Sequence, residues 1–220
     1  IGTRVDRPDG ADKVTGRARF GADFNMPGQL IGRVLRSPHA HARIKSVDIS
    51  AAEKLPGVKA VVTAKDLPEQ PNVIVPAGEM QVNLRDITRN ILAREKVLFE
   101  GHPIAAVAAT TDAIAKQAVE LIKVEYEILP HVIDVAEAMK PDAPVLHDHL
   151  ITEGVKPAPT KASNIAKRMD NNKGDIEAGW KQAEVVIERE YTTQAVHQGY
   201  IEPHATLASA AEDGQVQLWS

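Results

Sequence analysis

Three stretches of the chain hold residue types that could do chemistry. His39-x-His41 and His147-x-His149 each place two imidazoles at an i, i+2 spacing. On an extended backbone such residues point the same way, so either pair could share a metal ion. Neither pair has a third ligand at a recognisable spacing, so no metal ligand is assigned. For His39 and His41 the expectation is hydrogen bonding within a packed turn. The third stretch, Gln194-Ala-Val-His-Gln-Gly-Tyr-Ile-Glu-Pro-His204, gathers two histidines, two amides, a tyrosine and a carboxylate around a glycine and a proline. Polar groups this dense in a connection either line a cavity or form a structural hydrogen-bond network, and the residues alone favour the network.

Other chemistry is excluded. The chain has no cysteine, hence no thiol nucleophile, disulfide or cysteine-held iron–sulfur cluster of its own. Gly21, Gly28 and Gly32 do not make a dinucleotide fingerprint, and there is no phosphate loop or Gly-x-Ser-x-Gly elbow. With 26 basic against 30 acidic residues, nothing marks a nucleic-acid or anionic-membrane surface. The longest apolar run, Ile104 to Ala109, is too short to span a bilayer. Glu184, Glu188 and Glu190 read as a solvated face.

The elements that must position these residues follow from periodicity. Leu30 to Arg36 alternates as a strand broken by Ser37-Pro38, and Ile44 to Ile49 alternates as a second. Ser50 and Glu53 suggest a capping box for a short helix to Leu55, ended by Pro56-Gly57. Val58 to Thr63 reads as a buried strand. Glu69 to Asn90 has no clean period and reads as a long ordered loop. Ile104 to Ala109, a helix from Ala113 to Ile122 capped by Thr111-Asp112, and Lys123 to Leu129 read as a strand–helix–strand unit of the βαβ kind. Val135 to Met139 is a short helix. An irregular stretch over 147–163 is expected to link residues 1–146 to 164–220. Beyond it, Asn164 to Met169 and Glu184 to Tyr191 read as strands, and Ile176 to Ala183 as a helix with Ile176, Gly179 and Trp180 facing inward. Glu212-Asp213-Gly214 reads as the turn of a hairpin. The chain stops inside a strand at Trp219-Ser220 and starts at Ile1 rather than a methionine. The expectation is therefore a fragment, or half of a split subunit.

Several blocks, in order, resemble the large subunit of the molybdenum hydroxylases, the xanthine dehydrogenase / aldehyde oxidase family. They are Asp12-Lys-Val-Thr-Gly-Arg-Ala18, Arg36-Ser-Pro-His-Ala-His-Ala-Arg-Ile44, Leu55-Pro-Gly-Val58, Gly101-His-Pro-Ile-Ala-Ala-Val107, Glu125-Tyr-Glu-Ile-Leu-Pro130, Gly174-Asp175 and Glu202-Pro203. The resemblance implies an α/β (α+β) fold: an a/b hammerhead domain followed by the first strands of the molybdopterin-binding domain. It implies oxidative hydroxylation of a carbon centre with water as the oxygen source. The complete subunit would hold a molybdopterin–molybdenum cofactor, and 2Fe–2S clusters and FAD would sit on partner subunits. The implied partners are the remainder of the large subunit, an iron–sulfur subunit and an FAD subunit, in a dimer of heterotrimers in the cytoplasm or periplasm.

The family's glycine-rich motif that precedes its catalytic glutamate is absent, and so are its later pterin-contacting loops. No residue is therefore carried over as catalytic, cofactor-binding or metal-binding. Gln198, Glu202 and His204, around the matching Tyr200-Ile-Glu-Pro203, are candidates for the wall of the cofactor pocket or the layer behind it. The reading is a scaffolding and docking piece, inactive alone. The rivals are a non-catalytic interaction module that reuses the hammerhead fold and, more weakly, a histidine-based metal-binding protein.

Overall fold

Alanine builds the centre of the larger unit. The computed structural model describes residues 2–220, which group into two units. One comprises residues 30–176; the other gathers residues through Gln29 with residues 177–220. In the larger unit the strands are β1 (Ile31–Arg36), β2 (Ala42–Asp48), β3 (Val58–Thr63), β4 (Ile74–Ala77), β5 (Met80–Asn83), β6 (Lys96–Val97), β7 (Pro103–Ala109) and β8 (Lys123–Ile128).

β7 lies between β1 and β3, and both pairings are antiparallel. A strand flanked on both sides and packed under a helix needs apolar side chains on the helix-facing surface, which Ala105, Val107 and Ala109 supply, while Ala106 and Ala108 on the other face are only partly buried. Ala105, Val107 and Ala109 pack with Ala52 and with Ala115 and Ala118 of the helix Asp112–Leu121. Small side chains on both surfaces let that helix lie close to the sheet. Its first turn is capped by Thr111, whose hydroxyl accepts the Ile114 N–H at 3.3 Å. Thr111→Ala is expected to cost about 1 kcal/mol, read from the urea midpoint. A second antiparallel sheet, in the order β6-β2-β8, closes over Ala42, Ala93, Val97 and Ile104.

This topology corrects the expected βαβ unit. β7 and β8 flank the same helix but enter different sheets, and no strand pair in either sheet is parallel. The expected loop over 69–90 is also corrected. It holds the antiparallel hairpin β4–β5, turning through Gly78 at φ +63°, and a helix, Leu84–Ile91. Pro76 is tolerated because the hairpin is a two-stranded ribbon and each strand keeps a free edge. Asn83 starts the helix by accepting the N–H groups of Arg85 and Asp86 at 3.0 and 3.3 Å. The short helix after β2 spans Ser50–Glu53 without the expected capping box. Asp48 Oδ1 takes the Ser50 N–H instead, at 3.0 Å.

The stretch expected to be a linker is tied into the larger unit. Asn164 is the fastener: its Oδ1 accepts Leu146 N–H at 3.1 Å, and its Nδ2 donates to Ala138 O and Pro144 O at 3.1 and 2.9 Å. Ser163 N bonds Leu150 O, and Thr152 Oγ1 donates to Ile165 O. Of the strand expected over 164–169, only a bridge between Lys167 and Glu153 forms.

The smaller unit contains the short helix Gly10–Val14 and most of the helix Ile176–Gln182. It also holds the hairpin Leu207–Ala210 / Val216–Trp219, which turns where Glu212-Asp213-Gly214 predicts. Two expectations fail here. Ile176 and Trp180 are 68% and 56% exposed rather than inward, and Glu184–Tyr191 forms no ladder among the described residues. Alternation signals a strand only where a neighbouring chain segment supplies hydrogen bonds, and among the described residues of this unit none does so.

Candidate functional site

Two of the family-like blocks, those beginning at Arg36 and Gly101, meet the turn after β8 in one hydrogen-bonded node. Ser37 N–H donates to His102 O at 2.9 Å, and Gly101 N–H returns to Ser37 O at 2.8 Å. Arg36 Nη1 adds a bond to Gly101 O at 2.9 Å. On the other side, the ring of His41 donates from Nδ1 to Pro130 O at 2.7 Å, while Leu129 N–H donates to His41 O at 3.0 Å. A proton on Nδ1 leaves Nε2 as the acceptor, and it is buried without a partner among the described residues. His39 packs edge-on against Tyr126 with ring centroids 4.8 Å apart. This pair of histidines therefore serves a packed turn and is not arranged as a ligand pair.

His102, which the sequence marks only as a member of the block beginning at Gly101, is fully buried. Its Nδ1 accepts Leu98 N–H at 3.1 Å, so Nε2 carries the proton and donates to Arg89 O at 2.9 Å. Its ring stacks on Phe99 at 4.4 Å. Burial pushes the imidazole below its ordinary pKa of 6.5, and the bond to Arg89 O restores only part of that.

His147 and His149 are brought together with a third group that spacing could not reveal. Asp86, in the first turn of the Leu84–Ile91 helix, holds Oδ1 3.0 Å from His149 Nε2. The two imidazoles stand edge to face, 5.8 Å apart, while Asp148 between them turns out to solvent. One donor atom from each of Asp86, His147 and His149 lies within 4.8 Å of the others. Lys96 and Asn164 fix the loop: Lys96 Nζ donates to Leu146 O at 3.0 Å and reaches Asp148 at 3.3 Å. Burial holds His147 below the usual imidazole value, more than the Asp86 carboxylate raises it. A cavity of about 30 Å³ adjoins the three side chains, enough for one or two waters.

Gln198, Glu202 and His204 lie along an irregular, exposed stretch. Their contacts are short-range: Tyr200 Oη donates to Gln198 Oε1 at 2.6 Å, and the Tyr200 and His204 rings stand edge to face at 5.6 Å. Apolar neighbours are just as open, with Ile201 99% exposed and Ile187 72%.

Comparison with known proteins extends across the chain. The family model described as "Aldehyde oxidase and xanthine dehydrogenase, a/b hammerhead domain" matches residues 15–130, and "Molybdopterin cofactor-binding domain" matches residues 157–220. The chain is 36% identical over 224 residues to the carbon monoxide dehydrogenase large chain of Afipia carboxidovorans, covering 100% of this chain and 27% of that protein. It is 32% identical over 230 residues to a probable hypoxanthine oxidase of Escherichia coli (strain K12), covering 93% of this chain and 24% of that protein. Among solved structures, quinoline 2-oxidoreductase from Pseudomonas putida 86 aligns over 100% of this chain and 26% of its own, with a TM-score of 0.80 and 30% identity. The chain thus spans about a quarter of the length of these relatives.

Proposed function

The chain belongs to the aldehyde oxidase and xanthine dehydrogenase family, and on that premise we propose that it supplies the hammerhead domain and the opening of the cofactor domain of a molybdenum hydroxylase large subunit. The observation that carries this reading is the division of labour within the chain. Residues 30–176 are interlocked by three turns, each bonded through backbone carbonyls. Residues 184–204, by contrast, expose every large apolar side chain they carry: Val185, Val186, Ile187, Tyr191, Val196, Tyr200 and Ile201. An apolar stretch open on this scale is built to be covered by other protein.

Its partners are then the rest of the large subunit, an iron–sulfur subunit and an FAD subunit, in a dimer of heterotrimers. When bound, the molybdenum–pterin group supplies two-electron oxidation of a carbon centre with oxygen drawn from water, and the iron–sulfur and flavin groups carry the electrons away. The residues here do not fit that group as a complete site. Gln198, Glu202 and His204 are suitable polar neighbours for a pterin, but as exposed side chains they do not form a cradle. In this reading they wall the pocket once the rest of the subunit closes over them, and this chain's role is to scaffold and dock. Among the described residues no helix is long and apolar enough to cross a membrane.

The test is metal content and turnover. Purified alone, the 220-residue chain is expected to hold no molybdenum by elemental analysis and to reduce no dye with aldehyde, purine or N-heterocycle substrates. The complete subunit, expressed with its partners, is expected to hold molybdenum and to reduce the dye. Turnover or stoichiometric molybdenum in the chain alone would overturn the scaffolding role.

A further inference from the structure

We propose that Asp86, His147 and His149 form a binding site for a divalent transition-metal ion of the zinc class. This inference does not depend on the molybdenum hydroxylase reading, because it rests only on side chains within residues 30–176. Two imidazoles and one carboxylate are the donor set that borderline ions such as Zn²⁺ favour, with a fourth position left to water.

The geometry is close to what such an ion needs. Metal–ligand bonds of about 2.1 Å in a tetrahedron put donor atoms roughly 3.4 Å apart. Asp86 Oδ1 and His149 Nε2 are at 3.0 Å, and all three donor atoms lie within 4.8 Å of one another. A rotation of the His147 ring, moving its donor atom by up to about 1.4 Å, completes the set. The adjoining cavity has room for the water.

The support behind these ligands is already in place. The Asn83 cap fixes the backbone at Asp86, and Asn164 and Lys96 fix the backbone at Leu146, one residue before His147. The cations around the cavity are engaged elsewhere and leave the Asp86 carboxylate to the histidines. Arg89 bonds Glu95 at 3.2 Å, Arg94 bonds Leu67 O at 2.8 Å, and Lys96 pairs with Asp148. A purely structural hydrogen bond between Asp86 and His149 would account for those two residues. It does not account for His147, whose half-buried ring has no hydrogen-bond partner among the described residues and stands beside them.

The experiment is calorimetric titration of the chelator-stripped chain with zinc chloride, with thermal unfolding in parallel. One equivalent of zinc is expected to bind and to raise the unfolding temperature. His147→Ala is the decisive variant, because it removes a ligand without removing a hydrogen bond. Its zinc-free unfolding temperature is expected to match the parent, while its zinc affinity falls by more than the roughly 10–100-fold that loss of a mere supporting partner of a ligand costs. Asp86→Asn and His149→Ala are expected to weaken binding at least as much. His131→Ala, on a separate loop, leaves it unchanged. No zinc binding by the parent chain, or equal affinity in the His147→Ala variant, would overturn the assignment.

Discussion

Replacing His102 by alanine is expected to lower the unfolding free energy by about 3–5 kcal/mol, enough to unfold much of the population of a marginal domain. The reasoning starts from the ring's complete burial and its two backbone partners. Without the imidazole, Leu98 N–H and Arg89 C=O are left inside the protein unpaired, and the space stacked against Phe99 is emptied. His102→Phe separates the two terms. It keeps the ring volume and the stack but loses both bonds, and should cost about 2 kcal/mol. Urea denaturation of the three proteins measures both values.

The same residue sets a pH dependence whose sign is fixed. Its native pKa lies below 6.5, so the unfolded chain takes up a proton near 6.5 that the native protein refuses. The contribution is therefore whole above 6.5 and is lost as the pH falls from there towards the lowered native value. His102→Phe should flatten that part of the stability–pH curve. An unchanged slope in the variant would show that another group sets it.

The second large effect is expected at Gly57, where φ is +95° and Thr110 N–H donates to the carbonyl at 2.9 Å. A Cβ there would lie 2.6 Å from Ile114 Cδ1 and 2.9 Å from Thr110 Oγ1. The Ile114 methyl can swing aside, so Gly57→Ala costs mainly backbone strain, about 2 kcal/mol. Gly57→Val adds branching at a left-handed position and two more methyl groups beside the helix, for about 3–4 kcal/mol in all. Melting temperatures of the two variants should fall in that order. A valine variant as stable as the parent would mean that the turn after Pro56 can re-form in another conformation.

Much of this architecture can be read from local pattern. β1, β2, β3, β7, β8, the helix after Thr111 and the last hairpin each carry a period of their own or a glycine-centred turn, and each forms close to the expected residues. What escapes is pairing between distant segments. Nothing local tells that β7 and β8 part into separate sheets. The Leu84–Ile91 helix does carry an apolar stripe, Leu84, Ile87 and Ile91, but it is only about two turns long and follows directly on a proline-bounded stretch that masks where it starts. Conversely, the alternation of 184–191 is legible but has no partner among the described residues, so it forms no ladder. The His147/His149 spacing is visible in the sequence, whereas Asp86 lies more than sixty residues upstream and is delivered by that same helix. His102 could have been found only from the oddity of a histidine set beside a run of buried alanines.

The meeting of Ser37, His41, His102 and Pro130 also governs how this sequence can drift. Each of these residues answers to a backbone atom or a ring belonging to another of the three turns. Their free energies therefore cannot add, and a second change in the node after a first should cost far less than it would alone. Inheritance would then act on the three short runs as one unit, although they are scattered between Ser37 and Pro130.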